Sequence, residues 1–587
     1  MNRPLVYYAI SLFMGCFLSL VFMNNILMGA VLTASFFIIV FFTIDKNFFT
    51  LVMLFLLTGF LSFKIYYNIN ITEVPIIVRT IQIKEFYAIG DYQGKKIMLK
   101  GITKDLKEGR LAIIKGNFIL EKDYERGIIG TYNIEKASVQ KKDFIFSLYE
   151  SKSKIYEKFN RILGPRKTAL IMSLCFGESR YLSKDQKDEF LKLGVIHAIS
   201  VSGFHMAIIY KVLECILGLY ASIVICFLYA LFTGLQSSTL RAFIMILIFK
   251  ISKKVFKKYD ALSSLSLSAM CLLIFKPYYV ADLGFILSYL STLGIILYYK
   301  PIKRSLYNLP EKINEALSLT FSAQLFSMPF VAMTLNNFSM GFILGNLILL
   351  PIYSVLVVLG NAGLIFSYFS EVFKIFTFAL DYILTSLEGI NYLLLKACPE
   401  IIYFTYMDGI AMLGILECYF LVRKGYKRFS YFPSIIFLFI MLESYYIFPQ
   451  VEYINIGYNY SVIIRYKSKA VFLCNTSAQN NSEQLKQKYR VNKIVYDANQ
   501  GLTVKLYKDL IVKIPQTYKK QGGLNLNLFI KGKRISFLKD SKSNNIDTLK
   551  EYDIIKVPSN MANGGKARSL GGKNSDVYKI IFGKVYE

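Results

Sequence analysis

Both histidines of the chain, His197 and His205, stand in one short stretch, GVIHAISVSGFHMAIIY, together with Ser200, Ser202 and Gly203. The stretch is otherwise apolar, and polar groups inside a membrane segment are costly, so they ordinarily face a bundle interior or a wet cavity. Two readings of these residues stand: hydrogen bonding between helices, or the lining of a polar path. A third is an intramembrane hydrolase in which Ser202 attacks and His197 or His205 takes its proton. No GxSxG elbow surrounds Ser202, and no acid stands nearby in sequence to orient either imidazole, which weighs against that reading. Other polar residues punctuate the same apolar block. Glu178 and Arg180 fit either an ion pair at the mouth of a cavity or the interfacial end of a short helix. Arg241 fits either a snorkelling side chain or a tie between helices. Asp282 is placed to cap a helix holding Gly284. Asp381, deep in a run, has no evident partner.

The elements that carry these residues follow from composition. The chain has 587 residues, 54% of them hydrophobic, 16% aromatic and only 18% charged, with mean hydropathy +0.43. A soluble domain carries about 25% charged residues, so the values exclude a soluble globular protein. The 69 basic residues exceed the 39 acidic ones, giving +30. Such an excess seeks an anionic partner: phospholipid, nucleic acid or another polyanion. Two histidines in the whole chain remove most zinc chemistry. The eight cysteines (16, 175, 215, 226, 271, 398, 418, 474) sit mostly in apolar runs without a CxxC, and read as core residues.

Apolar runs at 6–23, 26–44 and 48–66 are each near the ~20 residues a helix needs to cross a bilayer. Residues 1–66 are therefore read as about three transmembrane helices. Residues 67–147 alternate and are rich in turn signals. KKIMLKGI, GRLAIIKGNFIL and GTYNIEKASV read as strands of a small β-barrel or sheet. With 14 basic and 10 acidic residues this part is about +4. Residues 148–164 have helical spacing with a basic face, as a helix lying on the membrane surface would. The block 165–448 holds expected spans at 212–232, 238–252, 260–275, 279–299, 315–335, 340–365, 375–397, 406–422 and 431–448, with 165–179 and 194–210 partial or re-entrant. The basic loops Lys253–Lys258, Lys300–Arg304 and Arg423–Arg428 are expected in the cytoplasm. That places 67–147 and the tail both outside. The tail, 449–587, alternates in VEYINIGYNYSVIIRY and KAVFLCN, turns helix-like in NSEQLKQKYR, and reads as α/β. Its 24 basic and 10 acidic residues over 451–587 give about +14.

From 165 to 360 the sequence resembles the membrane domain of the ComEC-type competence proteins, the DNA uptake channels of natural transformation. The residues carrying the likeness come in five groups. Gly177, Glu178 and Arg180 match the first motif, with Ser179 inserted. His197, Ser202, Gly203 and His205 match H-x-x-x-[VI]-S-G-x-H. Gly234, Ser238, Leu240, Arg241 and Ala242 follow, then Asp282, Gly284, Phe285, Leu287 and Ser288, then Gln324, Pro329, Asn346 and Pro351. The resemblance implies an OB-like barrel at 67–147 and a metallo-β-lactamase-like domain at 449–587. In that tail the family's D-V-G-Q-G-D stretch reads Asn455 to Tyr460, its D-T-G reads Asn475, Thr476, Ser477, and its H-x-H-x-D-H run reads Asp497, Ala498, Asn499, Gln500. Lys556, Val557 and Pro558 match the late K-V-P, but Ser559 and Asn560 replace the H-H that follows, leaving Asp540 as the one remaining ligand-type residue. Zinc hydrolases need several imidazole or carboxylate ligands; the expected metal set is none, no cofactor is expected, and the tail is a degenerate copy.

The fold class expected is thus a polytopic α-helical membrane protein with an OB-like barrel near the N-terminus and a degenerate metallo-β-lactamase-like α/β tail. The function implied by the resemblance is translocation of single-stranded DNA into the cytoplasm. Partners would be single-stranded DNA, membrane lipid, a DNA receptor, a cytoplasmic ATPase or helicase, and a separate nuclease; no Walker loop is present. Phe86, Tyr87, Tyr92 and Phe118 are the barrel aromatics that could stack bases, though any one of them also suits a barrel core. The alternatives are the Ser/His hydrolase and a transporter of another polyanion on the same scaffold.

Overall fold

The computed structural model describes the chain except residues 1–2, 70, 72–74, 85, 104–105, 140–141, 200, 400, 457–458, 468, 475–488, 497–501, 508, 515–525, 531, 538–552, 557–574, 582–583 and 587. It divides into two compact units, Met1–Met328 with Ser339–Pro399, and Pro329–Phe338 with Glu400–Glu587.

Three apolar helices open the first unit: α1 (Pro4–Asn24), α2 (Ile26–Thr43) and α3 (Lys46–Tyr67). A Cβ on Gly15 would stand 2.0 Å from the Leu56 carbonyl, and one on Gly59 2.2 Å from that of Leu12. Small residues thus let α1 and α3 approach backbone to backbone. Ser11 seals the contact by donating to the Val52 carbonyl at 2.7 Å. α2 buries only Gly29 and Val40 and leaves the rest of its apolar surface outward, as a lipid-facing helix must.

Five strands follow: β1 (Ile76–Ile83), β2 (Ala88–Tyr92), β3 (Lys95–Gly101), β4 (Leu111–Ile119) and β5 (Ile128–Val139). They close a barrel in the order β1-β2-β3-β5-β4, with β3 and β5 parallel and β4 returning antiparallel to β1. Closure leaves no free sheet edge. Ile76, Val78, Ile97, Leu99, Ile114, Tyr132 and Ile134 fill the interior, and this core runs on into α1, α3 and Tyr278–Val280. Tyr66 fastens the barrel to α3: its hydroxyl donates to the Gly127 carbonyl at 2.9 Å and accepts from the Lys96 amide at 3.1 Å.

Helix α4 spans Phe144–Phe176 but breaks at Gly164, where φ is 75°, ahead of Pro165, which has no amide to donate. The half before the break, which holds the helix expected over 148–164, buries Phe146, Lys152, Ile155, Phe159 and Leu163 against the protein. The part 165–176 continues it inward, where Leu170–Phe176 are all buried. Next come α5 (Lys184–Lys192), α6 (Ile196–Ile199), α7 (Gly203–Phe232, bent at Gly218), α8 (Ser237–Lys254), α9 (Ala261–Phe275) and α10 (Leu283–Ser305). The span expected from 279 starts later, because 277–281 form a short 3₁₀ turn. α11 (Glu311–Thr334), α12 (Phe342–Ile365) and α13 (Ser370–Ala397) complete the block. Among the described residues, seven helices are long and apolar enough to cross a membrane: α1, α2, α3, α7, α10, α11 and α12. The expected spans at 238–252, 375–397, 406–422 and 431–448 form helices too, but shorter or more polar ones.

In the second unit, β6 (Asn337–Phe338) pairs with β7 (Ile402–Tyr403), followed by α14 (Tyr406–Arg423) and α15 (Phe432–Ser444). The described tail is two packed sheets. One has six strands in the order β11-β10-β9-β8-β17-β18: β8 Tyr446–Ile456, β9 Asn459–Lys467, β10 Lys469–Leu473, β11 Lys493–Val495, β17 Ser575–Ile581 and β18 Lys584–Tyr586. The other runs β12 to β16: Leu502–Tyr507, Leu510–Ile514, Leu526–Ile530, Lys533–Phe537 and Ile554–Lys556. Val462, Ile464, Leu510, Val512, Leu528, Ile535 and Phe537 are among the residues of the core between them. The NSEQLKQ part of the expected helix, and the positions Asn475, Asp497, Asn499, Asp540, Ser559 and Asn560, lie outside the described residues.

Asp143 joins barrel to helix. It accepts from the Phe146 amide at 2.9 Å as the cap of α4, and from Arg79 of β1 at 2.6 Å. The Arg79 guanidinium holds its carboxyl below the usual carboxylate range. A depressed folded value contributes stability above the ordinary pKa of about 3.9 that is lost as pH falls through the depressed one. Asp143→Ala is expected to destabilise the purified protein by about 1 kcal/mol, the usual worth of a cap. Thermal scans should show that deficit constant from neutral pH down to about pH 5 and shrinking only below about pH 4.

Candidate functional site

Four segments of the first unit converge: the turn after α4, the start of α7, the start of α8 and the start of α10. Ser202 is the N-cap of α7, and its backbone amide donates to His205 Nδ1 at 3.0 Å. A nitrogen that accepts from an amide carries no proton, so the neutral ring bears its hydrogen on Nε2. His205 is fully buried and Nε2 has no hydrogen-bond partner among the described residues. The same geometry bears on hydrolysis. The Ser202 hydroxyl is 3.3 Å from Nδ1, but that lone pair is already engaged by the backbone. A general base needs a free one.

Gly203 lets α8 come close: a Cβ there would stand 2.8 Å from the Arg241 guanidinium and 3.2 Å from the Ala242 methyl. Arg241 donates through Nε to Ser288 Oγ of α10 at 2.9 Å and leans over the Tyr289 ring at 5.9 Å. No carboxylate among the described residues pairs with it. Ser238 donates to the Val201 carbonyl at 3.1 Å, tying α8 to the strand of chain before α7. Asp282 caps α10 by accepting from the Phe285 amide at 2.7 Å, and lies 3.5 Å from Ser237. On the barrel side, Lys96 stands over Tyr278 at 4.5 Å, and burial pulls its ammonium below the ordinary lysine range while the Asp282 carboxylate opposes the shift.

Gly177 ends α4 in the left-handed region at φ 72°, with Val201 and Gln236 within 3.4 Å of where a Cβ would be. Beside it Glu178 pairs with Lys152 at 2.7 Å and with Arg180 at 3.3 Å. Lys152 and Glu178 are 5% and 14% exposed, so removing either partner alone strands a buried charge, at a cost of about 3–5 kcal/mol.

The structure therefore brings Gly177, Ser202, Gly203, His205, Ser238, Arg241, Asp282 and Ser288 together. His197 lies on α6 with an exposed side chain, and no hydrogen bond among the described residues joins it to the cluster. Ser200 lies outside the described residues. Gln324 accepts from Ser327 one turn along its own helix at 3.2 Å, and Asn346 of α12 reaches Thr320 of α11 at 3.4 Å. Asp381 has its partner in Lys167 at 2.6 Å. Among the barrel aromatics, Tyr92 is in the core and Phe118 packs against Gly130. Phe86 is 86% exposed, and Tyr87 beside it accepts from Arg126 at 3.1 Å. Lys152, Tyr289 and Lys96 were not singled out by the sequence. Tyr289 adjoins Ser288 in the DLGFILSYL stretch, the one signal that marked it. Cys16, Cys175, Cys215, Cys226, Cys271, Cys398 and Cys418 form no disulfide among the described residues.

Residues 174–422, which hold the whole cluster, match the family model described as Competence protein. The chain carries a competence-protein domain of the ComEC type. It is 27% identical over 270 residues to ComE operon protein 3 of Bacillus subtilis, covering 43% of this chain and 34% of that protein. It is also 26% identical over 193 residues to an uncharacterized protein of Aquifex aeolicus, covering 32% of this chain and 45% of the relative. The chain thus spans less than half the length of these curated relatives. No solved structure matches it. Within the competence-protein domain, the cluster gathers hydroxyls, one imidazole N–H and one uncompensated guanidinium. All of them can donate to an anion.

An arginine without a counter-ion in apolar surroundings is a liability to the fold. Arg241→Met is expected to leave the thermal midpoint of the purified protein unchanged or raise it, whereas Lys152→Met lowers it by several degrees. A large loss of stability in Arg241→Met would mean that the guanidinium is a structural tie.

Proposed function

We propose that this protein conducts single-stranded DNA across the cytoplasmic membrane during natural transformation. The observation that carries the reading is the Arg241 guanidinium: half-buried, without a carboxylate among the described residues, and set beside Ser288 and Gly203 inside a competence-protein domain. A phosphate oxygen is the natural acceptor for such a donor set. The closed barrel, read as OB-like, supports the proposal through Phe86 and Tyr87, with Lys84 over the Tyr87 ring at 5.3 Å. Aromatics flanked by cations are what single-strand binders present. Tyr92 is ruled out of that role by burial.

In this reading the barrel and the basic tail both face outward, where phosphate affinity is independent of sequence and falls with salt. The tail, read as a degenerate metallo-β-lactamase-like domain, binds DNA without cutting it. A separate nuclease degrades the second strand, a receptor delivers DNA, and a cytoplasmic ATPase or helicase, or the membrane gradient, drives import. The hydrolase alternative loses ground to the engaged Nδ1 of His205.

The test is uptake of labelled DNA by a deletion strain complemented with wild type, Arg241→Gln or Ser202→Ala, scoring surface-bound and cytoplasmic DNA separately. The expected result is that Arg241→Gln keeps surface binding and loses import about tenfold or more, as for loss of one charge-assisted contact. Ser202→Ala keeps import. Unchanged import in the deletion strain itself sinks the proposal, and complete loss in Ser202→Ala returns the hydrolase.

A further inference from the structure

We propose that Glu108 and Lys152 are positioning residues for the Ser202–Arg241 cluster, acting through the Gly177–Arg180 turn. The chain of contacts has four charged members. Glu108 lies in the loop between β3 and β4, and its Oε1 accepts from the Ile83 amide at 3.0 Å, which fixes it to β1. Its other oxygen accepts from Arg180. Arg180 also holds Glu178 through Nε at 3.3 Å, and Glu178 holds Lys152 at 2.7 Å. Two cations and two anions balance, and the inner pair is nearly free of solvent.

Both ends of this chain are anchored. The loop bearing Glu108 is held a second time, because Arg79 donates to the Gly109 carbonyl at 2.9 Å while pairing with Asp143. At the other end the Lys152 ammonium lies 5.4 Å from the ring centre of Phe232, the last residue of α7. The turn between them leads directly to the cluster. Gly177 abuts Val201 and Gln236, and Ser173, one helical turn earlier, donates to the Ile199 carbonyl at 2.6 Å. Val201 precedes the cap of α7 and accepts from Ser238, three residues before Arg241. A displacement of the barrel loop therefore reaches the residues that aim Arg241. Neither Glu108 nor Lys152 touches an incoming anion in this account. Their role is to fix where the turn sits.

The test uses the full-length protein with Glu108→Arg, Arg180→Glu and the two combined, and Lys152→Met beside Lys152→Arg. One readout does not depend on DNA: hydrogen–deuterium exchange of the purified protein over 177–182 and over 201–206. The other is import of labelled DNA at matched membrane levels, which rests on the function proposed above. Each charge reversal and Lys152→Met are expected to speed exchange in both segments and cut import by about tenfold; the swapped pair, which remakes the contact with residue 108 but sets a carboxylate beside Glu178, recovers both in part, and Lys152→Arg returns both to near wild type. Faster exchange confined to 177–182 would overturn the proposal, since the turn would then be structural only. So would a swapped pair that restores exchange but not import. If the wild-type protein imports no DNA, the exchange over 201–206 still decides it.

Discussion

The cost of one charge organises the membrane domain. A guanidinium cannot shed its proton, so Arg241 must be held charged among apolar helices, and no carboxylate among the described residues neutralises it. What it has is directional: a hydroxyl on α10, an aromatic ring beside it, and a backbone brought near by Gly203. They come from two other helices, α10 and α7. Their starts must therefore be placed together, and the caps at Ser202 and Asp282 and the link from Ser238 to Val201 do that placing. Neutralising Arg241 internally would have been simpler for the fold. Leaving it open keeps it available to an external anion.

The barrel belongs to the same arrangement. It is seated by tyrosines on the α3 side and by ion pairs on the α4 side. This seat relates the exposed Phe86 and the half-buried Tyr87 to the helix starts. Lys96, drawn between Tyr278 and Asp282, belongs to the barrel by its strand and to the membrane cluster by its neighbours.

Long apolar helices announce themselves through length, so α1–α3, α7 and α10–α12 were legible in the sequence. So were β3, β4 and β5, where alternation is clean. β1 and β2 were not: IIVRTIQI puts isoleucine on both faces, and Ile77 is 53% exposed, which blurs a period of two. At the site, His205, Ser202, Arg241 and Asp282 stood out because each is polar within an apolar run. Lys152 could not, since residues 148–163 hold several basic residues and nothing local says which one is buried. The partner of Asp381 was hidden for a simpler reason, lying 214 residues away. Spacing reveals faces of one element; it does not reveal which faces meet.

The central claim is that Arg241 meets a phosphate backbone inside the membrane domain. The most direct measurement is ionic current through the full-length protein reconstituted in planar bilayers, with single-stranded oligonucleotide added to one side. The account predicts a block of the current that weakens as salt rises and that Arg241→Gln weakens by about tenfold or more, with Arg241→Lys in between. A block of the same strength in wild type and Arg241→Gln would contradict it.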